Sequence, residues 1–584
     1  MPLIGTAGHV DHGKSTLVER ITGKHPDRWA EERERGLTID LGFAWTTLPD
    51  GTEVSFVDVP GHERFVKNML AGVEAIDVAL FVVAANEGWM PQSEEHLAVL
   101  DLLGVGRGVV ALTKVDVVDD DLRALATLEI EDRLGGTSLD GAPVVPVSAV
   151  TGEGIEQLLT ALASAVPSDP PDDGRPRLWV DRSFSAPGAG TIVTGSLHGG
   201  SLATEDTVEI HPGGRRARLR GIQTHERDTD SVAPGRRVAL NLAGVSADEV
   251  RRGDMVGLPG QWRSTRRFVA TLTTARFVDE LDQRGAYQLH IGSAAHQVTI
   301  TGIEAGRAVL TLHDEIPAAV GDRYILRDTG RHLVVAGGRV LDPAPGRTMR
   351  ALASVSGLDP DADPDDIATR LLAIRSRERV DRLAAHSGGG QARDALVVGD
   401  HVLDRALVEN LLDRAGVIVD DEHARHPLRA GVPLATLAER LDVEIPIAEA
   451  LADLGAGLVR RGPSVARPEH DTALTDQQEE AWQRAVALLR KGLDVPSESE
   501  LGLDGDLMGL KLRSGELVRV APGLVYLADQ IEELKGAMIR CDPEFTVADF
   551  RDAAGLSRKY AVPILEWSDK EGLTVRRGDL RSFR

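Results

Sequence analysis

Gly8-His9-Val10-Asp11-His12-Gly13-Lys14-Ser15 has the spacing G-x-x-x-x-G-K-[ST], and that spacing suits phosphate chemistry. Glycines let backbone N–H groups turn toward phosphate oxygens, and a helix starting directly after the loop adds partial positive charge. The Lys14 ammonium would reach the β- and γ-phosphates of a nucleotide, and the Ser15 hydroxyl would bind Mg²⁺. Thr16 continues the same first helical turn. The setting is the required one: Leu3-Ile4-Gly5-Thr6-Ala7 reads as a short buried strand, and Ser15 to Thr22 as a helix start.

The surrounding elements must place further groups around such a loop. Val54 to Val59, Val78 to Ala84, Gly108 to Leu112 and Pro143 to Val147 are apolar runs, with helical patterns such as Pro91 to Leu103 between them. This alternation predicts a doubly wound α/β parallel sheet over residues 1–168, with its ligand site at the carboxyl ends of the strands. Asp58, at one such end, can hold Mg²⁺ through water, and the Gly61 amide can then meet a γ-phosphate. Thr113-Lys114-Val115-Asp116 lies at another. The Asp116 carboxylate can accept from both N1–H and the 2-amino group of guanine, which adenine cannot offer, so GTP and GDP are expected over adenine nucleotides. Ser148-Ala149-Val150, after the last strand, would offer backbone N–H to guanine O6.

Residues 1–168 resemble the GTP-binding domain of translational GTPases of the elongation factor Tu class. The segment Arg35-Gly36-Leu37-Thr38-Ile39-Asp40 matches switch I of that class, and Asp58-Val59-Pro60-Gly61-His62 its second switch. The resemblance implies that Thr38 binds Mg²⁺ and γ-phosphate, that His62 orients the hydrolytic water, and that Val10 and Leu37 form an apolar gate beside it. The class usually has Asn where this chain has Thr113, and a hydroxyl replaces only part of an amide's hydrogen bonding. Phosphoryl transfer to water needs positioning and charge stabilisation more than covalent help. Slow intrinsic hydrolysis stimulated by a partner is the expectation.

The bulk composition limits the alternatives. A chain of 584 residues requires several domains. Its 42% hydrophobic and 27% charged residues are those of a soluble globular protein, and a net charge of −25 excludes a general nucleic-acid coat. The one cysteine, Cys541, excludes an internal disulfide and a cysteine-rich zinc site. No apolar run reaches membrane-spanning length and no signal peptide is evident, so a cytoplasmic, monomeric protein with no membrane contact is expected.

After a Pro- and Asp-rich linker at Ser168 to Gly174 the pattern changes to short strands such as Leu178-Trp179-Val180, Thr191 to Gly195 and Val238 to Leu242. Two all-β barrels are expected, at 175–260 and 261–345. Gly188 to Gly195, Val245 to Asp254 and Gly321 to Arg327 resemble the second and third domains of the same class. The resemblance implies a cleft for the aminoacyl end of a tRNA, with Asp181, Arg182, Arg236, Arg237 and Phe43 near it. Resemblance to the selenocysteine-specific members of that class implies that such arginines contact the aminoacyl group, arginine charge being a physical means of selecting a selenolate anion over neutral serine.

A linker at 346–365 leads into repeated helix–turn–helix and strand-pair patterns, expected as winged-helix units at 366–425, 426–472, 473–529 and 530–584. Residues 555–584 carry seven basic against four acidic residues, net +3 in an acidic chain. Arg558 and Lys559 at the second helix, with Arg576, Arg577 and Arg581 on the wing, would converge on one face as a phosphate footprint. Pro563 should kink that second helix. Over its whole length the chain resembles the bacterial selenocysteine-specific elongation factors. That resemblance implies selenocysteyl-tRNA, an mRNA hairpin beside a UGA codon, and the ribosome as partners. The alternatives are a general aminoacyl-tRNA carrier and a GTP-sensing winged-helix regulator of duplex DNA.

Overall fold

The computed structural model describes residues 2–24, 42–58, 76–167, 172–188, 190–225, 227–346 and 348–584. It divides into two compact units, Met1–Arg405 and Ala406–Arg584.

The first unit opens with β1 (Leu3–Ala7), α1 (Lys14–Thr22), β2 (Gly42–Thr47), β3 (Glu53–Asp58) and β4 (Val78–Ala84). There follow α2 (Pro91–Leu102), β5 (Gly108–Thr113), α3 (Asp120–Leu134), β6 (Val144–Pro146) and α4 (Ile155–Ala165). The strands form one sheet in the order β2-β3-β1-β4-β5-β6, parallel except for β2, which runs antiparallel to β3. Continuous apolarity in β4 and β5 has its reason here: both sheet faces are covered. Leu97 and Leu100 of α2 and Ile130 of α3 bury one face, while Leu17 of α1 and Leu158 and Leu162 of α4 bury the other. The expected doubly wound sheet is therefore present, and its carboxyl-end loops lie on one edge.

Two closed barrels follow. In the first, strands from Arg177–Trp179 to Met255–Gly257 close a ring of six through the pairing of Thr207–His211 with Arg215–Thr224. In the second, the pairing of Ser264–Thr271 with Val334–Asp342 closes another ring of six. Closure leaves no unpaired edge in either ring. A buried bidentate pair between Arg177 and Asp322 links the two barrels. The first unit ends with helices Pro364–Arg375 and Val380–Ser387 and a three-stranded sheet completed by Leu396–Val398 and His401–Leu403.

The second unit is a run of winged helices. Its first helix, Arg405–Arg425, falls within the bounds 366–425 expected for the preceding repeat, yet it also bonds forward. Arg414 donates to the Leu441 carbonyl, and Arg467 pairs with Asp420. An amphipathic helix goes to whichever neighbour buries its apolar stripe, and a repeat boundary placed by spacing cannot choose between the two sides. The last two repeats share one core, containing Trp482, Tyr526, Phe545 and Phe550. Helix Arg558–Lys570 runs through Pro563 without interruption. The ring removes one hydrogen-bond donor, and burial of Ala561, Ile564 and Leu565 holds the turn in place.

Candidate functional site

The phosphate loop spans the gap between β1 and α1, and the chain shapes it by tight backbone approach. Gly8 has φ 123°, and a Cβ there would lie 2.1 Å from the Val82 carbonyl oxygen. Gly13 has φ 87° at the start of α1. Both positions therefore require glycine. Lys14 is buried and donates to the Gly8 and His9 carbonyls at 3.0 and 2.7 Å. Burial lowers its pKa to about 8, against the opposing pull of Asp58 and Asp11. The ammonium is thus desolvated and placed at the loop, where a phosphate chain would supply counter-charge.

Ser15 donates to Asp58 Oδ2 at 2.6 Å, and Thr6 donates to Asp58 Oδ1 at 2.7 Å. Asp58 is fully buried at the end of β3. A hydroxyl and a carboxylate in contact are hard oxygen donors of the kind Mg²⁺ takes, so these residues fit that ion. Thr16 is exposed in the first turn of α1, and Asp11 is exposed in the loop with φ 63°. Thr38, Leu37, Gly61 and His62 lie outside the described residues.

Several loop groups are used differently from the expectation. The Gly8 amide donates to His96 Nδ1 and the Val10 amide to Gln92 Oε1, both at 2.9 Å. These two N–H groups face α2 and are not part of a phosphate cradle. His12 is buried with Nδ1 3.3 Å from the Val82 carbonyl, and its ring meets that of His9 edge-on at 5.2 Å. Burial lowers the His12 pKa to about 4 and that of His96 to about 3, so both rings are neutral. The first-turn amides of α1 have no intrahelical partner by geometry and remain the anion-facing set.

At the end of β5, Asp116 is exposed in a single 3-10 turn, Val115–Val117. Lys114 adopts φ 59° and pairs with Glu87 at 2.7 Å. Thr113 is buried, and its hydroxyl donates to the His12 carbonyl at 2.7 Å. Ser148 departs from its expected use: its amide donates to Glu153, and its side-chain oxygen accepts from the Thr151 amide. It shapes the loop that presents Ala149 and the exposed Val150.

The groups expected to meet an aminoacyl end are partly assembled. The Arg237 guanidinium lies 3.6 Å over the Phe43 ring, so β2 and the first barrel meet at this point. Arg237 is also paired with Asp181, which accepts from Thr194 at 2.5 Å. The arginine charge is therefore already paired with a carboxylate. Arg182 and Arg236 lie on two strands that pair with opposite edges of Gly190–His198, and among the described residues the buried Arg236 Nε has no hydrogen-bond partner. A second bridge joins Trp45 of β2 to His225, stacked at 5.1 Å.

In the terminal winged helix, Arg558 and Lys559 are exposed at the start of Arg558–Lys570, and Arg576 and Arg577 are exposed on the wing strand Thr574–Arg577. Arg581 differs: it is only 3% exposed and pairs with Asp569 at 2.9 Å. It points inward because its strand alternates faces, and it belongs to the wing's internal support. Sequence reasoning also missed Thr6, Glu87, Gln92 and His96. The Gln92–His96 spacing puts both on one face of α2, but nothing local says that this face meets the loop.

Family models match four segments: the elongation factor Tu GTP binding domain at 1–168, elongation factor Tu domain 2 at 190–257, the selenocysteine-specific elongation factor beta-barrel domain at 265–347, and the elongation factor SelB winged helix at 538–583. The chain is 33% identical to the selenocysteine-specific elongation factor of Desulfomicrobium baculatum, over 100% of each. It is 31% identical to that of Escherichia coli (strain K12), over 99% of this chain and 98% of that one. A crystal structure of a bacterial selenocysteine-specific elongation factor superposes over 100% of both chains, with TM-score 0.74 and 28% identity. Among the described residues no helix is long and apolar enough to cross a membrane.

Proposed function

This chain belongs to the family of selenocysteine-specific elongation factors and is a translational GTPase, and we propose that it carries selenocysteyl-tRNA to ribosomes halted at a UGA codon marked by an mRNA hairpin. One observation carries the reading beyond a general tRNA carrier. The same chain that closes a phosphate loop on Ser15 and Asp58 ends in a winged helix with exposed Arg558, Lys559, Arg576 and Arg577. Phosphate contacts by such side chains fix orientation on RNA, while loops and bulges of a hairpin supply sequence. The two barrels argue against a regulator of duplex DNA, which has no need of an aminoacyl-end cleft.

In this proposal Asp116 selects guanine, and the Ala149 and Val150 amides face its O6. Lys14 holds the β- and γ-phosphates. Ser15 and Thr38 would hold Mg²⁺, with Asp58 holding it through water. Mg²⁺, when bound, neutralises charge developing on the phosphate oxygens. The Gly61 amide meets the γ-phosphate, and His62 orients the water that attacks it. Products are GDP and phosphate. Phe43, Asp181, Arg182, Arg236 and Arg237 contact the aminoacyl group, with Asp181 releasing Arg237 to an incoming selenolate. The protein acts as a cytoplasmic monomer.

The test is binding of selenocysteyl-tRNA against seryl-tRNA of the same body, with GTP and with GDP. A strong preference for the selenocysteyl form that requires GTP is expected. Equal binding of both would reduce the reading to a translational GTPase of another cargo.

A further inference from the structure

We propose that the Thr113 hydroxyl is a strut between the base-recognising strand end and the phosphate loop, and not a contact to the base. This rests on the GTPase reading and concerns how its site is held. The hydroxyl has one hydrogen. Two carbonyls lie within reach of it, His12 at 2.7 Å and Val83 at 3.3 Å, and the shorter takes it. Thr113 is 3% exposed, so its hydroxyl faces these protein carbonyls and not bulk solvent. Guanine presents only acceptors, N7 and O6, along the edge away from Asp116. A hydroxyl whose hydrogen is committed has nothing to give them. An asparagine, usual here in the elongation factor Tu class, has two amide hydrogens and could serve both ends. This chain serves one.

The consequence lies in what the strut joins. Asp116 stands three residues beyond Thr113, and Lys14 two residues beyond His12. The other ties on the loop come from elsewhere: His96 and Gln92 of α2 hold the Gly8 and Val10 amides, and Val82 of β4 faces His12 Nδ1. Among these hydrogen bonds Thr113 is the one that starts from the strand leading into Asp116, beside a longer contact through Glu87, which faces His12 at 3.8 Å and Lys114 at 2.7 Å. Valine has nearly the same shape and leaves the His12 carbonyl buried without its donor.

The experiment compares Thr113→Val and Thr113→Ser with the unmodified full chain. GDP and 7-deaza-GDP, which lacks the N7 acceptor, are titrated into each. Amide hydrogen exchange is followed in the nucleotide-free proteins. Thr113→Val should weaken both nucleotides by the same factor, about tenfold. It should speed exchange across residues 8–16 and leave α3 unchanged, and Thr113→Ser should restore both properties. Three outcomes would overturn the proposal: a loss confined to GDP, which would make the hydroxyl an N7 donor; equal acceleration in α3, which would make it a mere core group; or no loss at all. Should the valine variant fail to fold, Thr113→Ala, which also lacks the hydroxyl, takes its place in the same titrations and exchange measurements, with the same expected and overturning results. Failure of the GTPase reading would look different, as no guanine preference in any of the proteins.

Discussion

The Arg237 guanidinium rests 3.6 Å from the centroid of the Phe43 ring, joining edge strand β2 of the nucleotide domain to the first barrel. β2 follows in the chain the segment that resembles switch I, so a side chain close to that segment in sequence also touches the proposed cargo pocket. The Asp181 carboxylate, bonded to the same guanidinium, compensates that charge.

Removing the charge should therefore cost selectivity and not nucleotide binding. Arg237→Met is expected to leave GTP affinity within twofold and to reduce the preference for selenocysteyl- over seryl-tRNA by about tenfold, the worth of one charge-assisted contact. Protection of the aminoacyl ester from hydrolysis measures it. An unchanged preference would place the selenium contact elsewhere.

Asp116 should decide the base. Asp116→Asn is expected to exchange guanine for xanthine preference, because the amide then pairs with the xanthine carbonyl. Competition between GTP and XTP reads this directly, and retained GTP preference would remove Asp116 from the role.

His96 carries a pH signature. Burial, then the charges of Lys14 and His9, lowers its pKa to about 3, whereas the unfolded chain takes the proton near 6.5. The unfolded state binds more protons between those values, so stability is full above 6.5 and falls as pH drops through that window. His96→Asn keeps an acceptor for the Gly8 amide and does not titrate. Its unfolding free energy between pH 6 and 4.5 should fall less steeply, by at most about 1.4 kcal/mol per pH unit. Parallel pH profiles would show that His96 is not the titrating group.

The wing separates binding from support. Arg577→Ala should weaken hairpin RNA binding and reduce its salt dependence without altering stability. Arg581→Ala should destabilise the terminal repeat by about 3 kcal/mol, because it strands Asp569 near the core. A normal melting profile for Arg581→Ala would return that residue to the RNA face.

The nucleotide-binding domain and its phosphate loop were largely legible because their signals are local. Gly8, Gly13, Lys14 and Ser15 sit in one turn, and Asp58, Thr113 and Asp116 each follow an apolar strand whose end could be read from the chain. Such patterns determine backbone conformation and chemistry within a few residues. The barrels were legible by the same means, from strand length and turn spacing. What the sequence could not determine was the partner of each polar group. Arg581 and Arg577 lie four residues apart on a short hairpin, yet one is buried on Asp569 and the other meets solvent. The helix Arg405–Arg425 could close one repeat or open the next. Gly8 and Val10 turned to His96 and Gln92, more than eighty residues away. Hydrogen-bond partnership at that separation depends on which faces the packed core brings together, and only the tertiary structure decides it.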